Sequence, residues 1–303
     1  MNTFDLKPFA IPTGKTVHIS NYPTHAHLNE KYDNQIGKKL EENIEKLRAY
    51  QQILMAEEKQ AIIFVLQALD AAGKDEAERY FFSNLSSQAL KTTSFDKPSE
   101  EEKKHDYLWR LHDALPERGM IGVFNRSHYE NVVAERIHNE LENYPLPEEI
   151  KNDDQIWEKR FKHIRNYEDY LADNGFHMIK IYLNVSKDIQ KERLLERLED
   201  PERNWEFSLS DLEDRQLWED YMAVFEETFE KTSSDKSPWY IIPADHEEEA
   251  HYLISEIFLE KLAELNPEYP TLSAEEEEEF NQAIKDLKAG KYDYVAILCL
   301  LIY

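Results

Sequence analysis

The residues best equipped for chemistry gather just after one apolar run. Ala61 to Leu66 reads Ala-Ile-Ile-Phe-Val-Leu, and Asp70-Ala71-Ala72-Gly73-Lys74-Asp75 follows closely. A β-branched run of this length suits a strand buried on both faces of a parallel sheet. A strand, a tight loop closing in Gly-Lys and then a helix is the arrangement that cradles phosphate. Backbone N–H groups and the helix N-terminus face the anion, and the lysine reaches its outer oxygens. In the strict form of that loop a glycine opens it and a hydroxyl residue follows the lysine, where this chain has Ala68 and Asp75. On motif grounds alone, a chance Gly-Lys turn stays open as the alternative. Ala71, Ala72, Gly73 and Asp75 are the candidate phosphate contacts, and Lys74 is the candidate for neutralising a transferring phosphoryl group. Asp70 is the carboxylate placed to hold a divalent cation, with a turn-capping role as its plainer reading.

Other cations follow in positions that could complete such a site. Asn125 and Arg126 come just after a second apolar run, Met120 to Phe124, and crevices beyond strand C-termini are where such folds bind ligands. Arg79 lies one turn into the helix after the loop. Arg136 lies on the segment after Arg126, where a surface ion pair is the equal alternative. Arg193 and Arg197 are four apart on one helix face and could close over the site, although the interleaved Glu192, Glu196 and Glu199 fit a solvated helix as well. His25 with His27, and His105 with Asp106, lack a third ligand at suitable spacing and read as ordinary residues.

Positioning these groups takes a sheet. Short strand-like runs recur at Thr92 to Phe95, Met120 to Phe124, Met178 to Val185 and Trp239 to Ile242. Helical stretches separate them, near Ala77 to Leu90, Lys103 to Leu115, Trp157 to Asn174 and Ile189 to Leu198. The alternation predicts an α/β fold with a parallel sheet and helices on both faces. Residues 1–35 read as an extended arm and 36–265 as the sheet domain. A helical lid is expected around 189–215, where Asp200 to Leu209 interrupts two helices, and 266–303 reads as an acidic tail. The stripe Ile36, Leu40, Ile44, Leu47 and Leu54 predicts a helix ahead of the first strand.

Composition bounds the class. The formal net charge is −26, from 62 acidic against 36 basic residues, which argues against non-specific nucleic-acid binding. A polyanionic substrate would then need Lys and Arg gathered in a local groove. Cys299 is the only cysteine, so no intrachain disulfide forms, in keeping with a reducing compartment. The longest apolar run, Tyr294 to Tyr303, is short of a membrane span. A cytoplasmic protein without membrane attachment is expected.

Taken in order, the motifs resemble the polyphosphate kinase 2 family. Asp70-Ala71-Ala72-Gly73-Lys74-Asp75 matches the core of its variant phosphate loop, and Gly122-Val123-Phe124-Asn125-Arg126-Ser127-His128-Tyr129-Glu130 its second motif. Thr93-Ser94-Phe95, His105 to Arg110, Ile164 to Glu168, Gln190 with Arg193, Asp200-Pro201-Glu202 with Trp205, and Trp239 to Asp245 follow in the family's order. The resemblance implies a three-layer P-loop kinase-like sandwich with a central parallel sheet and a helical lid. It implies Mg2+-dependent phosphoryl transfer between inorganic polyphosphate and AMP or ADP, with guanine nucleotides as further acceptors, in a homodimer or homotetramer. Asp70, Lys74 and Arg126 would be catalytic, and Arg79, Asn125, Arg136 and Arg193 would bind phosphate or nucleotide. Two rivals stay open: an ATP-dependent nucleoside-monophosphate kinase, and a binding relative with impaired turnover. The second is motivated by Ala68, by Glu76, which would repel a nearby phosphate unless it points away or binds Mg2+, and by Asn125, where many members carry Asp and one branch carries Asn.

Overall fold

Strand β1 (Ala61–Gln67) is buried along its whole length, and its alternate side chains feed two different cores. Ile62, Phe64 and Leu66 join Leu40, Leu47, Phe81 and Phe258, whereas Ile63 and Val65 join Phe161, Phe225, Phe229 and Trp239. This is why the run reads as continuously apolar. The computed structural model describes residues 4–292, in two units, Met1–Pro267 and Glu268–Tyr303. Cys299 and the apolar run Tyr294 to Tyr303 lie outside the described residues.

In the first unit, β2 (Leu90–Ser94), β3 (Ile121–Asn125), β4 (Phe176–Asn184) and β5 (Trp239–Pro243) complete a five-stranded sheet in the order β2-β3-β1-β4-β5. All of its strand pairs are parallel. Helices α1 (Ile36–Glu57), α2 (Lys74–Asn84) and α7 (Glu247–Leu265) cover one face, and α3 (Ile156–Asp173) and α6 (Trp218–Thr232) the other. The α/β sandwich expected from the sequence is the fold observed, and every residue of the α1 stripe is buried. Between α3 and α6, α4 (Lys187–Glu199) and α5 (Leu209–Gln216) flank the segment 200–208. The register sets Leu66 of β1 beside Asn125 of β3. Because the chain visits the β2 edge before returning to β3, the loops after β1 and β3 open side by side at the strand C-termini.

Two stretches differ from their reading in the sequence. The helix expected over Lys103 to Leu115 is a 3-10 turn (Glu102–Lys104) and a short helix (Trp109–Asp113). Between them the Asp106 carboxylate accepts the Leu108 N–H at 3.0 Å, a local bond that competes with the helical ladder. The described part of the first segment, residues 4–35, is packed against the sheet domain rather than merely extended. Ala10 bridges Tyr240 antiparallel, the Ile11 N–H donates to Trp239 O at 2.9 Å, and Leu6, Phe9, Ile11, Val17 and Ile19 are buried. Among the described residues no helix is long and apolar enough to cross a membrane.

The second unit contains α8 (Ala274–Lys288), opened by a reciprocal capping box between Ser273 and Glu276. Its first turn carries Glu275, Glu276 and Glu277, and Phe280, Ile284 and Leu287 are exposed.

Candidate active site

The loop between β1 and α2 is shaped by two residues of positive φ, Ala71 at +59° and Gly73 at +102°. Glycine adopts that geometry freely; alanine does so at a cost in strain. Lys74 is the first residue of α2 and is buried, and its ammonium donates to Ala68 O at 2.9 Å and Leu69 O at 3.1 Å. It stands 4.0 Å from Asp70 Oδ1. Burial holds the ammonium below its ordinary value, against the upward pull of Asp70. Asp75 and Glu76 in the first turn of α2 suit the helix dipole.

Arg126 reaches the same carboxylate from the neighbouring loop. Its guanidinium donates to Asp70 Oδ1 at 2.6 Å and lies 4.0 Å from Glu130. The residue has φ +62°, and its N–H is tied to Leu66 O at 3.0 Å, so β1 and β3 together fix where it emerges. A cavity of about 340 Å3 opens here, walled by Asp70, Arg126, Glu130, Arg110 and, from α5, Asp211 and Asp214. Burial, followed by Asp70, raises both Asp211 and Asp214, and burial raises Glu130 against the pull of Arg126. Arg110 lies 5.0 Å over the Phe95 ring at the cavity edge.

On the other side of the loop, Ala71, Glu76, Arg193, Arg197 and Arg203 line a second cavity of about 480 Å3. Arg193 donates to Ala244 O at 2.9 Å and lies 3.4 Å from Ala71 O, stitching the loop after β5 to the phosphate loop. Gln190 donates to Asp70 O at 3.0 Å. Arg203 lies 3.3 Å from Glu76 and 3.2 Å from Glu206, so the segment after α4 is latched to the start of α2.

The polyphosphate kinase 2 family model matches residues 29–270. The chain belongs to the polyphosphate kinase 2 family. Among curated relatives, the ADP-polyphosphate phosphotransferase of Rhodopseudomonas palustris is 39% identical over 282 residues, 93% of this chain and 98% of that protein. The AMP/ADP-polyphosphate phosphotransferase of Meiothermus ruber is 41% identical over 225 residues, 74% of this chain and 80% of its own length. The crystal structure of polyphosphate kinase 2 from Arthrobacter aurescens aligns with a TM-score of 0.76 at 30% identity, over 91% of this chain and 95% of that one.

Within this polyphosphate kinase 2 fold, Asp70 and Arg126 line the first cavity and Lys74 stands behind Asp70. Ala71 and Arg193 line the second. Other expected contacts are directed elsewhere. Arg136 is paired with Glu227 at 2.6 Å and lies 5.8 Å over Trp157, and Arg79 is exposed on α2. Asn125 is buried and donates to Asp75 and Glu78 of α2, both at 2.6 Å. His25 stacks on His27 and lies 3.4 Å from Glu249, outside both cavities. Sequence reasoning did not single out Arg203, Asp211 or Asp214. Ser208 and Asp211 form a capping box at α5, a spacing readable in the sequence, and it aims Asp211 at the cavity. The Arg203–Glu76 pair had no local signal.

Proposed function

We propose that this family enzyme transfers the terminal phosphoryl group of inorganic polyphosphate to AMP or ADP. The observation that carries the reading is the phosphate loop with a cavity on each side. The Arg126 side receives the nucleotide, where the Arg110 guanidinium over the Phe95 ring at the cavity edge suits a base. The Arg193, Arg197 and Arg203 side receives the polyphosphate chain. A P–O–P bond of the donor breaks as the acceptor phosphate oxygen forms a new one, and the enzyme contributes positioning and charge neutralisation. Lys74 is drawn from the loop carbonyls to the transferring group, and Arg126 meets the charge spreading over its oxygens. Arg126, Arg193, Arg197 and Arg203 each lie against a carboxylate, so an arriving polyanion exchanges places with Asp70, Glu247, Glu206 or Glu76. Local pairing of this kind lets a chain of net charge −26 hold a polyanion.

Mg2+ fits the first cavity on electrostatic grounds, because Glu130, Asp211 and Asp214 crowd there around Asp70 and are raised by burial and then by the Asp70 charge. Among the described residues no three His, Cys, Asp or Glu form a metal cage. Asp70 would hold the ion together with substrate oxygens and water, the usual habit of Mg2+. When bound, the ion would neutralise charge between donor and acceptor phosphates. We place the activity in the cytoplasm, with the nucleotide pools, and in a homo-oligomer. The test is nucleotide product analysis with polyphosphate as sole donor, against ATP as sole donor. ADP or ATP formed from polyphosphate alone is the expected result. Product from ATP and AMP only would make the protein a nucleoside-monophosphate kinase, and binding without product would make it an inactive relative.

A further inference from the structure

Lys180 lies in β4 with no solvent exposure, and its ammonium is 2.6 Å from Glu168 of α3, itself buried. Placing a charge pair inside a sheet core is costly, and well-packed apolar residues in its place are often as stable or more so. Stability alone is thus a poor reason for it. The partners of the pair suggest another. Glu168 Oε1 accepts the Tyr129 hydroxyl at 2.7 Å and lies 3.3 Å from His128 Nε2. Lys180 also bonds the Tyr129 hydroxyl at 3.1 Å and Thr232 O at 2.8 Å. The Tyr129 ring packs edge-on against Trp239, 4.8 Å between centroids.

Tyr129 and His128 belong to the one-turn 3-10 segment His128–Asn131, which Ser127 alone separates from Arg126. The segment has two sides. Arg126 and Glu130 line the first cavity, whereas His128 and Tyr129 are driven into the core onto Glu168. Ser127 joins the two, accepting the Tyr129 N–H at 3.2 Å and a bond from Gln67 Nε2 at 3.2 Å. Arg126 is held at positive φ, which a non-glycine residue keeps only where its surroundings over-determine it.

We propose that the buried Lys180–Glu168 pair positions Arg126, acting through Tyr129 and His128, which anchor the back of the turn that carries the arginine. Tyr129, Glu168 and Lys180 touch no substrate and are positioning residues. The inference rests on the role of Arg126 in the proposed transfer.

A double-mutant cycle tests it, combining Tyr129→Phe, which keeps the ring on Trp239, with Arg126→Ala. With Arg126 present, Tyr129→Phe lowers kcat about tenfold, as sub-ångström misplacement of a charge-stabilising group does, with KM for the nucleotide within about twofold. In the Arg126→Ala background it lowers kcat no further. Equal losses in both backgrounds would mean a merely structural contribution and overturn the proposal, as would no loss in the parent. An Arg126→Ala enzyme with full turnover removes Arg126 from the chemistry, and the proposal with it, while leaving polyphosphate-dependent transfer measurable. Thermal unfolding of each variant establishes that it is folded. If Tyr129→Phe does not fold, His128→Phe, which removes the ring nitrogens facing Glu168, carries the same cycle.

Discussion

Replacing Asn125 with Asp is the most informative single change, because one amide nitrogen donates to two carboxylates of α2. Both bonds, to Asp75 and Glu78, measure 2.6 Å, and Asn125 is buried. Asn125→Asp removes both donors, each contributing roughly 1.5–3 kcal/mol when the acceptor is charged. It also brings a third carboxylate to the other two. The repulsion is capped, since protonating one carboxyl at pH 7 against an ordinary value near 4 costs about 4 kcal/mol. Glu78 is already raised by burial, despite the Asn125 bond, which lowers that cap. A loss of at least about 3 kcal/mol follows for unfolding at pH 7 in EDTA. Mg2+ should return most of it, since a ligand at about a hundredfold its dissociation constant stabilises by about 2.7 kcal/mol. The assay is urea unfolding of parent and variant, in EDTA and across a Mg2+ titration. Turnover of the variant with polyphosphate and ADP should recover over the same Mg2+ range as its stability. A variant as stable as the parent in EDTA would refute the reasoning, because the two hydrogen bonds would then hold nothing.

Lys74→Ala should abolish transfer and leave the fold in place, at about 1–3 kcal/mol for the loop carbonyls it leaves unbonded; unchanged specific activity in the folded protein would take the loop out of the mechanism. Asp70→Asn should raise the Mg2+ needed for half-maximal rate, and a normal titration would assign the ion to another carboxylate. His251 stacks on Tyr80 at 4.7 Å and is pushed down to about 4 by burial and then by Arg193. The unfolded chain, near 6.5, therefore binds the proton first on acidification, and stability falls as pH drops from about 6.5 to about 4. His251→Phe should remove about 2 kcal/mol of the stability difference between pH 7 and pH 5; parallel pH profiles for parent and variant would contradict this.

What the sequence disclosed follows the range of the forces involved. The β1 run and the α1 stripe were legible because burial on one or both faces imposes a period on neighbouring residues. The turn after β1 was legible because positive φ at Gly73 and the lysine beside it are local requirements. Asp106 was a local signal too, but its bond to the Leu108 N–H competes with a helix only where the surrounding packing allows it. The partners of the cations could not be read. Arg136 and Arg203 have the same charge and similar neighbours in sequence, yet one turns to Glu227 and the other to Glu76. That choice is made by how α6 and α2 pack. Asn125 faces Asp75 and Glu78 only because β3 pairs with β1 in the register that sets it beside Leu66.

The segment paired along β5 also bears on how the protein behaves in concentrated solution. A parallel sheet ends in two strands with unpaired backbone groups, and an open apolar edge is a template for joining other chains. The β2 edge, Leu-Lys-Thr-Thr-Ser, is polar and half solvated. The β5 edge, Trp-Tyr-Ile-Ile-Pro, is nearly all buried, and the bonds of Phe9 and Ile11 to Ile241 and Trp239 close it. Deletions that remove residues before Pro12 would bare this second edge. Their first symptom should be concentration-dependent precipitation of molecules whose phosphate loop is still intact.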